Sequence, residues 1–263
     1  MLTTSVPASL VDSSSSISDA QVHRFMHDGF VALPSLVPAQ QALEGRTAAM
    51  RIAASSDTEG LTVPTQEPVF HQIINVWRSD ATLRGITFAP QLLAAVTRLA
   101  GGRPMRLFHD QLFIKYPDTS VATEFHQDLP YWPIQSDTFT ISAWIALGDI
   151  TPDHGCLTFI PGTHRLRGSA SDLRSSSSLM EMYPHLAFSE RATLPLAAGG
   201  CTLHQGYAAH RAAPNRTSEI RIALSVIFFP QDACCAGDWH VLTKQGGWRQ
   251  GERFPDVFCP PIT

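Results

Sequence analysis

The feature that most constrains the fold is a series of short β-rich runs between residues 103 and 230, separated by turn residues and not by amphipathic helices. Strands that follow one another in this way pair without crossover helices, which favours an antiparallel sandwich or barrel of the jelly-roll type. The predicted strands are Met105–Tyr116, Thr138–Leu147, Cys156–Ile160, Ala192–Leu196, Cys201–His204, Tyr207–Arg211 and Ile220–Phe229.

The chain before these strands is different in character. Residues 1–17, with four consecutive serines, are typical of a flexible leader. Residues 18–102 are predicted to be mainly helical, beginning at a Ser-Asp cap and ending at a Gly-Gly pair. We therefore expect one domain over 18–263, with helices first, a β core over 103–230 and a C-terminal extension over 231–263.

Composition excludes several functional classes. The 263 residues are 44% hydrophobic, carry a formal net charge of −4 and contain five cysteines without a C-x-x-C pair. A nucleic-acid-binding surface would need a basic excess, and a disulfide framework or zinc clip would need another cysteine pattern. Because we find neither a signal peptide nor a membrane span, we predict a cytoplasmic protein with a small-molecule substrate. The oligomeric state stays open.

The segment Phe125-His126-Gln127-Asp128 carries the most informative chemistry. Two residues separated by one position project from the same face of an extended chain, so the imidazole of His126 and the carboxylate of Asp128 can meet one ion. Two histidines and one carboxylate with open positions opposite them form the facial triad of non-haem Fe(II) oxygenases. This segment therefore predicts two of three metal ligands.

A second histidine must complete such a triad. The Pro-Asn turn after His210 predicts a hairpin that brings Arg221 opposite His210 on one face of the ladder. His204 lies about six residues earlier, roughly 20 Å away at strand rise, so we expect it to be a hydrogen-bonded histidine outside the site. Of the other candidates, His164 is expected to fix a turn and His154 to be exposed.

An ordered series of motifs resembles the phytanoyl-CoA dioxygenase family across about residues 19–230. Members of that family are Fe(II)- and 2-oxoglutarate-dependent oxygenases with a double-stranded β-helix core. The matching motifs are Gln111-x-Phe113-x-Lys115-Tyr116-Pro117, Phe125-His126-Gln127-Asp128, Trp144-x-Ala146-Leu147, Thr151-Pro152-Asp153-His154-Gly155-Cys156-Leu157, Ile160-Pro161-Gly162-Thr163-His164 and His210 to Arg221 through Pro214-Asn215.

The resemblance implies roles for these residues. It makes His126, Asp128 and His210 the iron ligands, and it makes O2 a second cosubstrate beside 2-oxoglutarate. A hydroxyl residue follows the distal histidine by two positions in some relatives, but here that position is Ala212. The residues expected to bind 2-oxoglutarate are Arg221, Gln111 and Trp144, with Ser142 or Thr202 replacing the missing hydroxyl.

Asp128 also bears on the reaction, because related halogenases have Gly or Ala there and leave room for a halide. We therefore expect oxygenation, most simply hydroxylation of a C–H bond of a small metabolite. Substrate-wall candidates are Phe113, Tyr131 and Trp132, and the stretch 165–190 is long enough to be a lid. Two alternatives stay open: a cupin-like metal enzyme or isomerase that does not use 2-oxoglutarate, and a non-catalytic barrel that serves as a binding module.

Overall fold

A computed structural model describes residues 17–55, 71–117, 120–135, 139–167, 179–237 and 240–262 of the chain. Nearly all of the predicted leader and the middle of the lid-like stretch, residues 168–178, lie outside the described residues. Within the described ranges, every helix is too short or too polar to cross a bilayer.

Before residue 103 the described chain has four α-helices and two short strands, so it is mainly helical as predicted, and after residue 103 it is mainly β. The helices are α1 (Asp19–Asp28), α2 (Ala39–Ala54), α3 (Ala81–Thr87), α4 (Pro90–Leu99), α5 (Leu179–Met182) and α6 (Val241–Gly246). The strands are β1 (Phe30–Leu33), β2 (His71–Ile74), β3 (Met105–Lys115), β4 (Thr123–His126), β5 (Ile141–Ala146), β6 (Leu157–Phe159), β7 (Ala192–Leu194), β8 (Cys201–Gln205), β9 (His210–Ala212) and β10 (Arg221–Pro230).

The first helix begins and ends as its sequence predicts. Ser18 is the N-cap, and its hydroxyl accepts a hydrogen bond from the backbone of Gln21, whose side chain returns to the backbone of Ser18. Gly29 ends the helix with φ +89°, a conformation in which a Cβ would also collide with the ring of His164. The predicted role of His164 in fixing a turn agrees with its position in a short 3-10 turn packed against this cap.

Two antiparallel sheets form the core. The larger has the order β1-β8-β5-β10-β3-β2, and the smaller has the order β4-β9-β6-β7. This arrangement confirms the predicted jelly-roll architecture. One strand was assigned wrongly: Tyr207–Arg211 is not a continuous strand, because Gly206–Ala209 turns the chain from the larger sheet into the smaller one before β9 begins.

Side chains alternate between the two faces of the larger sheet. On β10, Ile222, Leu224 and Val226 join a core formed with the helices, including the fully buried Leu92 of α4. Ala223 and Ile227 belong instead to apolar clusters on the opposite face. That face is turned towards the smaller sheet. Arg221 and Ser225 alternate along β10 in step with Ala223 and Ile227, so their side chains point between the two sheets.

A β-bulge interrupts the pairing of β3 with β10. Ile227 pairs with His109 and Phe228 pairs with Leu107, which leaves Phe108 without an opposite residue. Consequently Phe108 and His109, although neighbours in sequence, both lie on the face turned towards the smaller sheet, and their ring centroids are 4.7 Å apart. The bulge places an aromatic cluster at one end of the space between the sheets.

Candidate active site

Three side chains from β4, the turn after it and β9 meet between the sheets. The Nε2 atom of His126 lies 3.3 Å from Oδ1 of Asp128, and the Nε2 atom of His210 lies 3.6 Å from the same oxygen. A ligand atom of each residue lies within 4.8 Å of the other two. Two imidazoles and one carboxylate at this separation are a donor set suited to Fe(II).

Hydrogen bonds fix the orientation of both imidazoles. The Nδ1 atom of His126 lies 2.8 Å from the carbonyl oxygen of Glu124, and that of His210 lies 3.0 Å from the carbonyl oxygen of Ala208. A carbonyl oxygen only accepts, so each Nδ1 carries the proton and each Nε2 presents a lone pair. Metal-binding histidines are typically held in this way by an outer hydrogen bond. The residues present therefore fit a bound iron ion.

A buried amide supports the turn between the two ligands of the H-x-D motif. The sequence predicted that both ligands stand on one extended segment. In the structure β4 ends at His126, and the backbone of Asp128 is in a helical turn conformation. The side chain of Gln127 donates to the carbonyl oxygens of Leu166, at 2.8 Å, and Tyr207, at 2.7 Å. These bonds explain why both ligands still converge although the strand has ended.

His204 lies beside the triad, and its expected distance of roughly 20 Å was wrong. Its Nε2 atom is 3.3 Å from Oδ2 of Asp128, and its ring centroid is 4.7 Å from that of His210. The error arose because the distance assumed a fully extended chain from His204 to His210, whereas β8 and β9 belong to different sheets and face each other. The expectation of a buried, hydrogen-bonded histidine is confirmed.

The two oxygens of Asp128 have different neighbours. Oδ1 faces His126 and His210, while Oδ2 accepts from the hydroxyl of Ser142 at 3.2 Å and faces His204. Since the Nε2 of His204 serves as a donor to a carboxylate, it does not offer a lone pair to an ion. His204 and Ser142 therefore orient Asp128 so that Oδ1 remains directed at the two Nε2 lone pairs.

Electrostatics at this cluster follow from burial and from the single carboxylate. Burial lowers the pKa of His210 to about 3, which keeps its ring neutral. For Asp128, burial alone would raise the pKa, but the surrounding histidines, His210 first, hold the pKa of the carboxyl well below its usual value. Burial likewise opposes a charged His126, yet the nearby carboxylate of Asp128 raises the pKa of that ring overall. The site thus presents an ionised carboxylate at neutral pH.

Arg221 begins β10 on the same inward face as the triad. It is only 3% exposed, its guanidinium carbon lies 5.4 Å from the ring centroid of Trp144, and its Nε has no hydrogen-bond partner among the described residues. The predicted hairpin with His210 was wrong, because β9 and β10 belong to different sheets and Arg221 pairs with Lys115 instead. Face-to-face packing of the sheets, not a ladder, places both residues inside the barrel.

Lys115 is a second buried cation beside Arg221. Its ammonium donates to the carbonyl oxygens of Val121 at 3.0 Å and Ala213 at 2.9 Å. Burial, together with the charge of Arg221, lowers its pKa to about 7. Burial lowers the pKa of Arg221 only to about 10, so the guanidinium stays charged at neutral pH. Neither cation forms an ion pair within the described chain, so this end of the site favours an anionic ligand.

The remaining cosubstrate candidates line the sheet between these two ends. Trp144, Ser225 and Gln111 pair in one row across β5, β10 and β3, and Thr202 pairs with Trp144 from β8. Gln111 is buried and accepts a hydrogen bond from the amide of Gln72. Sequence reasoning missed Gln72 because β2 is only four residues long and carries no alternating pattern.

The three substrate-wall candidates have different surroundings. Phe113 packs against the apolar cluster around Trp144 and Phe159. Tyr131 is 46% exposed, and burial together with the charge of Asp128 raises its pKa. Trp132 is buried in the aromatic cluster, 6.3 Å from Phe108 between ring centroids.

Comparison with known proteins decides the family. The model of the phytanoyl-CoA dioxygenase family matches residues 25–223. The chain belongs to the phytanoyl-CoA dioxygenase family. Members of this family are Fe(II)- and 2-oxoglutarate-dependent oxygenases. Membership therefore confirms the predicted enzyme class and cofactors as those of the family.

Curated relatives are matched over different shares of their length. The chain is 28% identical to phytanoyl-CoA dioxygenase domain-containing protein 1 of Mus musculus over 70% of this chain and 62% of that protein. It is 26% identical to methylphosphonate hydroxylase of Gimesia maris over 84% of this chain and 83% of that protein. The mouse relative is therefore matched over less than two thirds of its length.

A solved structure is similar over nearly the whole chain. The epimerase SnoN from nogalamycin biosynthesis, crystallised with Fe3+, alpha ketoglutarate and nogalamycin RO, superposes with a TM-score of 0.82 and 25% identity. The match covers 93% of this chain and 98% of SnoN. The similarity extends from α1 into the C-terminal segment, beyond the residues matched by the phytanoyl-CoA dioxygenase model.

Proposed function

We propose that this chain is an Fe(II)- and 2-oxoglutarate-dependent dioxygenase that oxidises an unactivated C–H bond of a small metabolite, most simply by hydroxylation, with release of succinate and CO2. The observation that carries the proposal is that two unlike groups of side chains lie between the same two sheets. One end has the two oriented Nε2 lone pairs with Asp128, and the other has the buried guanidinium of Arg221.

His126, Asp128 and His210 would hold the iron, which together with 2-oxoglutarate and O2 supplies an oxidant strong enough for an unactivated C–H bond. Arg221 would bind the distal carboxylate of 2-oxoglutarate through two parallel hydrogen bonds, as a guanidinium does best. Gln111, Trp144 and Ser142 would line the same cosubstrate. Phe113, Tyr131 and Trp132 would form an apolar wall that limits water near the reacting carbon.

The relatives support a role in the oxidation of small metabolites. Methylphosphonate hydroxylase is a hydroxylase, whereas SnoN is an epimerase from nogalamycin biosynthesis. Both outcomes can begin with removal of a hydrogen from carbon, so the shared part of the proposal is the C–H oxidation itself. A role in secondary metabolism rests on the likeness to SnoN.

The test has two stages. Anaerobic calorimetric titration should show one Fe(II) bound per chain, and addition of 2-oxoglutarate, ascorbate and air should then release succinate, which chromatography can quantify. A non-catalytic barrel would bind no stoichiometric iron. An enzyme that does not use 2-oxoglutarate would bind iron but release no succinate, and its turnover of a metabolite would be independent of Arg221.

A further inference from the structure

A second pair of histidines, His109 and His240, lies outside the triad. His109 is on β3 and is 1% exposed, and His240 immediately precedes α6 in the C-terminal segment. The two rings are stacked with centroids 5.8 Å apart and an angle of 27° between their planes. Nothing in the proposed iron and 2-oxoglutarate chemistry uses either ring.

The hydrogen bonds of the two rings show that a different nitrogen carries the proton in each. The Nδ1 of His109 lies 3.3 Å from the carbonyl oxygen of Asp110, so it carries the proton and Nε2 is left as an acceptor. The Nδ1 of His240 accepts from the backbone of Leu242 at 3.2 Å, so its Nε2 carries the proton. The pair therefore offers one acceptor nitrogen and one donor nitrogen.

The acceptor of His109 has no partner. Its Nε2 is buried and forms no hydrogen bond with any described residue. Burial, followed by the neighbouring His240, lowers the pKa of His109 to about 3, so the ring does not gain a proton there at neutral pH. An unpaired buried polar atom is unfavourable, and a ligand that forms a hydrogen bond with it would remove that cost.

The sheet register places His109 at the end of the site occupied by the triad. His204, Ser142, Ile227 and His109 form one row across β8, β5, β10 and β3. The first two residues of this row contact Asp128. His109 is two strands from Ser142, roughly 10 Å at the usual strand spacing. A molecule with one end at the triad could reach His109 across this distance.

Apolar side chains surround the pair. Phe108 lies 5.4 Å from His240 between ring centroids, and it belongs to a hydrophobic cluster with Trp132, Ile227 and Phe254. A ligand in this environment should be mostly apolar, because desolvating further polar groups without partners is unfavourable. A single hydroxyl group matches the polarity of the pair, since it can donate to one nitrogen and accept from another.

We propose that His109 and His240 form the polar end of the substrate site and bind a hydroxyl group of a mostly apolar substrate. The carbon to be oxidised lies at the other end of that substrate, beside the triad. This inference rests on the proposed function for the position of the reacting carbon, but the hydroxyl site itself is a property of the two histidines and their surroundings.

The experiment uses two aromatic probes of equal shape, 2-naphthol and 2-methylnaphthalene. Their affinities for the anaerobic protein with Fe(II) and 2-oxoglutarate are measured by ligand-observed NMR. The wild-type protein should bind 2-naphthol about five-fold more tightly or better, as expected for one hydrogen bond of about 1 kcal/mol. If the protein binds both probes alike, or binds neither, the proposal is wrong.

Variants connect the preference to His109. His109→Phe should reduce the preference to about one-fold, and His109→Gln, which keeps an acceptor at a similar reach, should restore part of it. His23→Phe, a change at an exposed histidine of α1, is the matched control and should leave the preference unchanged. A preference that persists in a folded His109→Phe variant would overturn the role of this histidine.

The outcome also separates this inference from the proposed function. Probe binding is measured without O2 and requires no turnover. Succinate release with no preference for 2-naphthol would reject the hydroxyl site and leave the dioxygenase intact. A preference for 2-naphthol in a protein that binds no Fe(II) would reject the dioxygenase and leave a hydroxyl-binding cavity.

Discussion

The two ends of the space between the sheets are built in opposite ways. At the triad, one carboxylate, Asp128, is surrounded by His126, His204 and His210. At the other end, the two adjacent cations Lys115 and Arg221 have no acidic partner in the part of the chain that the structure describes. The triad is the more open end, because the side chains of His126 and Asp128 are 27% and 19% exposed, whereas Lys115 and Arg221 are almost fully buried.

The difference is that the charge of Asp128 has hydrogen-bond partners within the chain, whereas the charge of Arg221 is left available to a ligand. Asp128 has hydrogen bonds from its own chain on one oxygen, whereas the Nε of Arg221 has none among the described residues. A buried ion without a partner lowers stability unless another group is brought to it. The comparison therefore predicts that buried Arg221 lowers the free energy of unfolding of the chain alone, and that a bound anion raises it again.

The largest effect should come from the carboxylate. Asp128→Asn keeps the shape of the side chain but removes the charge that faces His126 and His210. Affinity for Fe(II), measured by anaerobic titration, should fall by more than about 100-fold, the upper end of what outer contacts to metal ligands contribute. Asp153→Asn, in an exposed turn, is the control. Equal iron affinity in both variants would contradict the assignment of the triad.

The next largest effect should come from the cation. Arg221→Leu should weaken 2-oxoglutarate binding by about 30-fold or more, because truncating one member of a buried charged pair costs at least about 2 kcal/mol. Without cosubstrate, the free energy of unfolding of this variant should not fall, since an unpaired buried charge has been removed. Calorimetry with 2-oxoglutarate and urea unfolding measure the two quantities.

Arg216→Leu, at an exposed arginine of the loop before β10, is the matched control and should change neither quantity. If Arg221→Leu left 2-oxoglutarate binding intact, the two ends of the cavity would not serve one cosubstrate. If it strongly destabilised the protein without ligand, the guanidinium would have an internal structural role instead.

A smaller effect is expected from the residues that orient Asp128. His204→Leu should lower Fe(II) affinity by about 10-fold or more, because outer partners of metal ligands contribute about 10–100-fold. Ser142→Ala should lower it by about five-fold, the equivalent of one hydrogen bond. His204→Gln, which retains a donor, should recover part of the affinity. Recovery in His204→Gln would show that His204 orients the carboxylate and does not merely fill space. Unchanged iron affinity in both His204→Leu and Ser142→Ala would show that these residues do not orient Asp128.

The smallest functional effect, but a clear stability effect, is expected at Asp110 on the helix side of the same sheet. Its carboxylate accepts from the hydroxyl of Thr87 at 2.8 Å and the backbone of Trp77 at 3.0 Å, and burial raises its pKa from 3.8 to about 7. Between these two values the folded chain keeps a proton that the unfolded chain has lost. The stability that Asp110 contributes is therefore present at low pH and declines as pH rises towards 7.

Asp110→Asn should remove this decline, which amounts to at most about 1.4 kcal/mol per pH unit. Urea unfolding at pH 5, 6 and 7 measures it, and succinate release by the folded variant should remain near that of the wild type. An unchanged pH slope would show that the internal hydrogen bonds keep the carboxylate charged. In that case Asp110 would resemble Asp128 more than it resembles Arg221.

The sequence predicted the fold and much of this comparison. Alternating strands and turn residues identify the jelly-roll core, and the spacing of His126 and Asp128 identifies part of the triad. His210 and Arg221 were expected to share one face of a hairpin; both lie between the sheets, but the assumed hairpin between them does not exist. Each still faces the space between the sheets because the alternation of side chains within a strand is local information and survives an error in pairing.

Other features could not be predicted because they depend on which sheet each strand joins. The proximity of His204 to Asp128 requires a change of sheet between β8 and β9, and nothing in a two-residue period reports such a change. Gln72 stands on a strand of four residues, and His240 comes from the C-terminal extension. Their positions follow from long-range packing rather than from local pattern.

The extra residue at Phe108 has a consequence for how this protein can diversify. Because Phe108 is the residue without an opposite partner, its loss would leave the pairing of residues 105–107 and 109–115 with β10 as it is. Descendants of such a chain could therefore change the aromatic end of the space between the sheets without disturbing the end that holds Arg221. Substrate preference and cosubstrate dependence would then be inherited as separable traits.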